Sequence, residues 1–105
     1  MDETLKTAQE LAQVIAYCMQ KKYIAGNAEK IDANQSVVVA AADPFVQVAD
    51  MFGAPKDYHK ALAKMDEAFI AGILKEAKMD KKATVKIKSH IALGAEKTEI
   101  IVKLK

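Results

Sequence analysis

The closing stretch of the chain, VKIKSHIALGAEKTEIIVKLK from Val85 to Lys105, alternates apolar and polar residues on both sides of a break that contains glycine. Successive side chains of a strand point to opposite faces, so two such runs around a short break are typical of a β-hairpin. One face of this hairpin is almost wholly apolar and has to be covered by other parts of the protein. The sequence therefore predicts a C-terminal antiparallel hairpin packed against helices.

The polar face of the hairpin is rich in lysine. A four-residue loop at 94–97, a common hairpin length, would pair Ile87 with Leu104, His90 with Ile101, Lys88 with Lys103, and Lys86 with Lys105. Like charges directly opposite each other disfavour pairing by up to about 1 kcal/mol. Three interpretations are open: the lysines are splayed into solvent and block edge-to-edge aggregation, the face contacts an anionic surface, or the register is shifted.

Charge limits the partners of such a face. The residues that would contact an anionic partner, nucleic acid or acidic protein, are Lys86, Lys88, His90, Lys103 and Lys105. The net charge is only +2, but residues 1–52 carry −3 and residues 53–105 carry +5. All sixteen basic residues are lysine. Because arginine is preferred for bidentate recognition of guanine, this composition disfavours sequence-specific reading of DNA.

The N-terminal segment predicts an amphipathic helix. Asp2 can cap it, and at 100° per residue one arc contains Leu5, Ala8, Leu11, Ala12, Ile15, Cys18 and Met19. Residues 25–36 are expected to be a connection. Residues 36–42 then contain three valines, which favour a buried strand, and three alanines, which favour a helix. We favour a strand, which would add a third strand to the hairpin.

Two further helices follow. Asp43 as N-cap, Pro44 at the first helical position and Gly53 after the end predict a short helix with Phe45, Val48, Ala49 and Phe52 buried. From Pro55 to about Met79 a longer helix is predicted, with its core stripe at Tyr58, Leu62, Met65, Phe69 and Ile73. Gly72 in this helix indicates close packing rather than a ligand site.

Ile70 and Leu74 lie outside the core stripe of the long helix and widen its apolar surface. Either the hairpin packs against them or another subunit does. A two-stranded hairpin is marginal alone and leaves unpaired edges. We therefore predict self-association, with Ile70 and Leu74 as its residues, and a homo-oligomer or a partner that adds to the sheet edge.

No catalytic residue, cofactor site or metal site is predicted. The two histidines and the single cysteine are far apart in sequence and lack metal-ligand spacing. The four glycines stand alone, so no phosphate-binding loop is present. Cys18 excludes an internal disulfide, and neither a signal peptide nor a membrane-spanning run is visible, which predicts a cytoplasmic protein.

The predicted architecture is a single α+β domain over residues 1–105, with three helices on a C-terminal hairpin. The function expected first is a non-enzymatic interaction module, a self-associating adaptor or assembly subunit. The alternative is a sequence-tolerant nucleic-acid binder that uses the lysine face, with weak and salt-dependent affinity. An enzyme comes last, since no residue nominates a reaction.

Overall fold

In the computed structural model, residues 7–21 and 24–105 are described. The elements in chain order are α1 (Ala8–Gln20), β1 (Gly26–Asp32), β2 (Gln35–Ala40), α2 (Pro44–Met51), α3 (Lys56–Glu76), β3 (Ala83–Ser89), a 3₁₀ turn (Ile91–Leu93) and β4 (Thr98–Leu104). The four strands form one antiparallel sheet in the order β1-β2-β4-β3. The α+β prediction is confirmed.

The predicted third strand is present, and a fourth was missed. β2 overlaps the segment of valines and alanines and pairs with β4, so the strand interpretation of that segment is confirmed. β1 was predicted to be a connection, which is wrong. Most of its residues are exposed, and it pairs along its length with β2 at one edge of the sheet.

The register of the hairpin differs from the predicted one by four residues. Ile87 pairs with Ile100, and a bulge before Ser89 ends the regular pairing. The connection is longer than four residues, because the 3₁₀ turn follows His90 and the Thr98 hydroxyl accepts a hydrogen bond from the Ile91 amide at 3.1 Å. The structure thus shows a shifted register, which was the third interpretation of the lysine face.

The main core lies between the sheet and the helices α1 and α3. Its fully buried members from α1 are Ala8, Leu11, Ala12 and Ile15, and those from the sheet include Val38, Ile100 and Val102. Thr7 caps α1, since its hydroxyl accepts from the Glu10 amide at 3.0 Å. The predicted cap Asp2 and the first arc residue Leu5 lie outside the described residues.

Ile70 and Leu74 belong to this core, which corrects their predicted placement. Ile70 is 4% exposed, and Leu74 packs as a partly buried residue against the same cluster. β3 lies beside both, because Val85 and Ile87 line a pocket with them. The hairpin therefore packs beside Ile70 and Leu74, where the sequence had left a second subunit as the alternative.

The apolar stripes of α2 and α3 are rotated from the predicted ones. In α2 the buried residues are Val46 and Ala49, whereas the predicted Phe45, Val48 and Phe52 are exposed. In α3, Leu62 is buried as predicted, and Phe69 and Ile73 are partly buried against the core. Tyr58 and Met65 were predicted inside and are more than half exposed.

Candidate interaction surface

The solvent side of α2 is apolar. Around the helix, Met51, Val48, Phe52 and Phe45 occupy one continuous arc of about 120° that points away from the buried pair. Phe52 is 84% exposed and Met51 is 81% exposed. Burying an aromatic or methionine side chain stabilises a protein by about 1.5–3 kcal/mol. Exposed apolar side chains lack this stabilisation, and the arc contains four of them. The helix has two apolar sides, and on the second one Val48, Met51 and Phe52 are more than half exposed.

The arc continues onto α3. Phe45 of α2 and Met65 of α3 line the same small pocket, together with Leu62. Tyr58 lies two turns before Met65 on the same flank of α3 and is 52% exposed. We define the α2–α3 surface by its six exposed apolar side chains. They are Phe45, Val48, Met51, Phe52, Tyr58 and Met65.

The size of the α2–α3 surface is that of an interface. With side chains of about 150–200 Å² each, the exposed fractions of the six correspond to on the order of 700 Å². The largest apolar patch of a typical monomer is about 300–600 Å². One partner of a standard protein–protein interface buries about 800 Å². Tyrosine, phenylalanine and methionine are also the residue types enriched at interface cores.

Charges of both signs lie near this surface. Asp50 and Asp57 are exposed acids, and Lys56 and Lys64 are exposed bases on the same two helices. Two copies of a surface with mixed charges can associate without strong electrostatic repulsion, because neither sign of charge dominates the surface.

A histidine joins α2 to α3 beside the surface. His59 Nε2 lies 2.8 Å from Asp50 Oδ1, and Nδ1 lies 3.1 Å from the Pro55 carbonyl oxygen. Both neighbours accept hydrogen bonds, so only the doubly protonated ring satisfies both. The Pro55 carbonyl first, and then the Asp50 carboxylate, raise the pKa of His59, against a smaller lowering by desolvation. When it is protonated, the ring donates to both neighbours and links the last turn of α2 to the first turn of α3.

The lysine face lies on the side of the sheet away from α1. One row across that side runs Glu29, Val37, Ile101 and Lys86, and in another row Lys103 lies between Gln35 and Thr84. In the paired parts of β3 and β4, lysine does not face lysine. Lys86, Lys88, Lys103 and Lys105 are exposed, so four of the five predicted residues are accessible. Their contact with an anionic partner stays a prediction.

His90, the fifth residue of that set, is inside the protein. It is 1% exposed, and its Nε2 lies 2.5 Å from Asp66 Oδ2 on α3. Its predicted position on the basic face is wrong, because the strand ends before it and the 3₁₀ turn directs it inward. Asp43, the buried N-cap of α2, completes a group with Asp66 and His90 whose ligand atoms lie within 4.8 Å of one another.

The hydrogen bonds decide what this group does. The Ala92 amide donates to His90 Nδ1 at 3.0 Å, so Nδ1 is unprotonated and the ring proton is on Nε2, directed at Asp66. A metal bound to Nε2 would displace that proton. Nδ1 would still have to accept from the Ala92 amide, whereas the second ring nitrogen of a metal-ligating histidine donates a hydrogen bond. Asp43 meanwhile accepts from the Phe45 amide at 2.9 Å. The group therefore fits a cluster of structural hydrogen bonds, in which His90 joins the hairpin connection to α3 and Asp43 caps α2 beside them.

Sequence reasoning missed this cluster because its three members come from different elements. Asp43 was recognised only as the cap of α2, and Asp66 lies on a different helix. No local signal marks His90, because the alternation of apolar residues continues past it to Ile91 and Leu93.

No helix in the part of the chain that the structure describes is both long and apolar enough to cross a membrane.

Comparisons with known proteins give the fold. No protein-family model and no curated protein matches the sequence. A solved structure of a trafficking protein particle complex subunit 3 from Naegleria fowleri, covalently bound to palmitic acid, is similar with a TM-score of 0.54 and 20% sequence identity. The match covers 92% of this chain and 60% of that chain, so this chain spans less than two thirds of the length of that subunit. At this identity the likeness concerns the fold.

Proposed function

We propose that this chain is a non-enzymatic assembly subunit that binds protein partners, further copies of itself among them, through the α2–α3 surface. The observation that carries the proposal is the second apolar side of α2, with Phe52 and Met51 more than four-fifths exposed. Exposed apolar surface of this size favours association, because burial of each Å² contributes about 25 cal/mol.

Two further observations support this function. The similar solved structure is a subunit of a multi-protein complex. Among the described residues, the group of three potential metal ligands is occupied by structural hydrogen bonds.

The test introduces charge into the α2–α3 surface. The double variant Val48→Glu, Phe52→Glu is expected to be monomeric where the unmodified chain associates, because two carboxylates would be buried without partners. Since both side chains are exposed, circular dichroism should show an unchanged fold. Sedimentation equilibrium measures the mass.

A matched control adds two acids elsewhere. Asn27→Glu with Thr84→Glu places them at exposed positions on β1 and β3. This control should associate like the unmodified chain. Equal masses for both double variants would exclude the α2–α3 surface as the binding site.

A further inference from the structure

Gly72 stands in the interior of α3, where no contact with the described residues of this chain requires a glycine. Glycine in a helix interior is destabilising relative to alanine, so it usually marks a close approach. Its φ is not in the left-handed region, and a Cβ built on it would meet no atom within 4 Å. The sequence predicted close packing at Gly72, but no described part of this chain packs there. The position is therefore open to a second molecule.

Gly72 ends a regular stripe of exposed residues along α3. The stripe consists of Tyr58, Ala61, Met65, Ala68 and Gly72, all exposed. Their spacing alternates between three and four residues, which is the repeat by which one helix packs against another in a coiled coil. Beyond Met65 the stripe borders a groove of about 640 Å³, whose other wall is formed by Val14 and Cys18 of α1.

Side-chain sizes along the stripe determine the orientation of a partner helix. Tyr58 and Met65 are large, and they alternate with the small Ala61 and Ala68. In a parallel pair of identical helices, large would meet large and small would meet small. In an antiparallel pair, Tyr58 lies opposite Ala68 of the second copy, and Met65 lies opposite Ala61. Helical side chains lean toward the N-terminus of their helix, so the Tyr58 ring then extends from Ala68 toward Gly72.

We infer that two copies of this chain associate through an antiparallel pair of α3 helices, in which Tyr58 of each copy occupies the groove at Ala68 and Gly72 of the other. The inference rests on the proposed function and specifies its contact. A two-fold interface requires one surface that complements itself. The side chains of the stripe complement each other by size. The α2–α3 surface shares Tyr58 and Met65 with the stripe, and its exposed area approaches the roughly 800 Å² that each partner of a stable dimer buries.

The orientation is tested by disulfide formation between variants made in a Cys18→Ser background. The two proteins are Ala61→Cys and Met65→Cys, mixed and oxidised. Because disulfides need Cα atoms about 4.4–6.8 Å apart, the antiparallel pair predicts a disulfide-linked dimer in the mixture and little in either protein alone. A parallel pair would link each protein to itself. Association without either link would place the contact away from α3 and overturn the inference while leaving the proposed function standing.

A second test uses matched alanines on α3. Ala61→Glu should raise the dimer dissociation constant at least about tenfold, since the carboxylate enters the contact. Ala71→Glu, at another exposed position about 80° around the helix, should change the dissociation constant less than threefold. Equal effects of the two variants would overturn the inference. The inference would also be overturned by a monomer that retains an apolar ligand in the groove, seen as added mass under native conditions. A monomer that binds vesicles would overturn it as well. A monomer at every concentration would contradict the self-association in the proposed function as well.

Discussion

His90 is the side chain whose position differs most from what its sequence neighbours indicate. It follows alternating lysines, yet it is buried and both ring nitrogens are hydrogen-bonded, one to Asp66 on α3 and one to the Ala92 amide. A neutral ring with its proton on Nε2 satisfies every neighbour. The histidine thus serves as a polar link between the hairpin connection and α3.

Replacing His90 should therefore destabilise the protein strongly. His90→Leu leaves the Ala92 amide without its acceptor and removes the donor to Asp66. Each buried hydrogen-bonding group without a partner costs about 1–3 kcal/mol, so we expect a loss of about 2–4 kcal/mol in the free energy of unfolding, measured with urea. A loss below about 1 kcal/mol would mean that the cluster contributes little.

At the scale of elements, the attachment of α2 depends on few contacts. Val46 and Ala49 are its buried residues, within a small cluster that also contains Leu62 and Ala92. The Asp43 cap fixes its start, and the bond between Asp50 and His59 fixes its last turn. The stability contributed by that bond should depend on pH, because it depends on the proton of His59.

The sign of this dependence follows from the raised pKa of His59. The contribution is fully present below the unfolded-state pKa of about 6.5 and is lost as pH rises through the raised folded-state pKa. Asp50→Asn should therefore lower the melting temperature most at pH below about 6.5 and progressively less at alkaline pH. Asp80→Asn, another exposed acid, is the control. A pH-independent difference between Asp50→Asn and the unmodified chain would contradict the role of the proton.

Elements with strong local signals were predictable, and those set by tertiary pairing were not. The Asp43–Pro44 start of α2 was predictable because a cap and a proline act within one turn. β1 was not, because an exposed edge strand lacks apolar alternation and is held by pairing with β2. The hairpin register failed because a buried histidine and the Thr98 hydroxyl replaced the tight turn that was assumed.

The candidate surface illustrates a different limit. α2 is apolar on two sides, and periodicity alone does not indicate which side faces the core. The sequence therefore identified the right residues as apolar and assigned Phe45, Val48 and Phe52 to the wrong side. Self-association was predicted at Ile70 and Leu74, which the hairpin instead covers. Which apolar side remains exposed is a property of the assembled fold.

For the whole molecule, the α2–α3 surface predicts that copies of this chain associate. Sedimentation equilibrium of the unmodified protein, from micromolar to near-millimolar concentration, measures this association. We expect the weight-average mass to rise from one chain toward two. A mass of one chain throughout, with the fold intact, would contradict self-association.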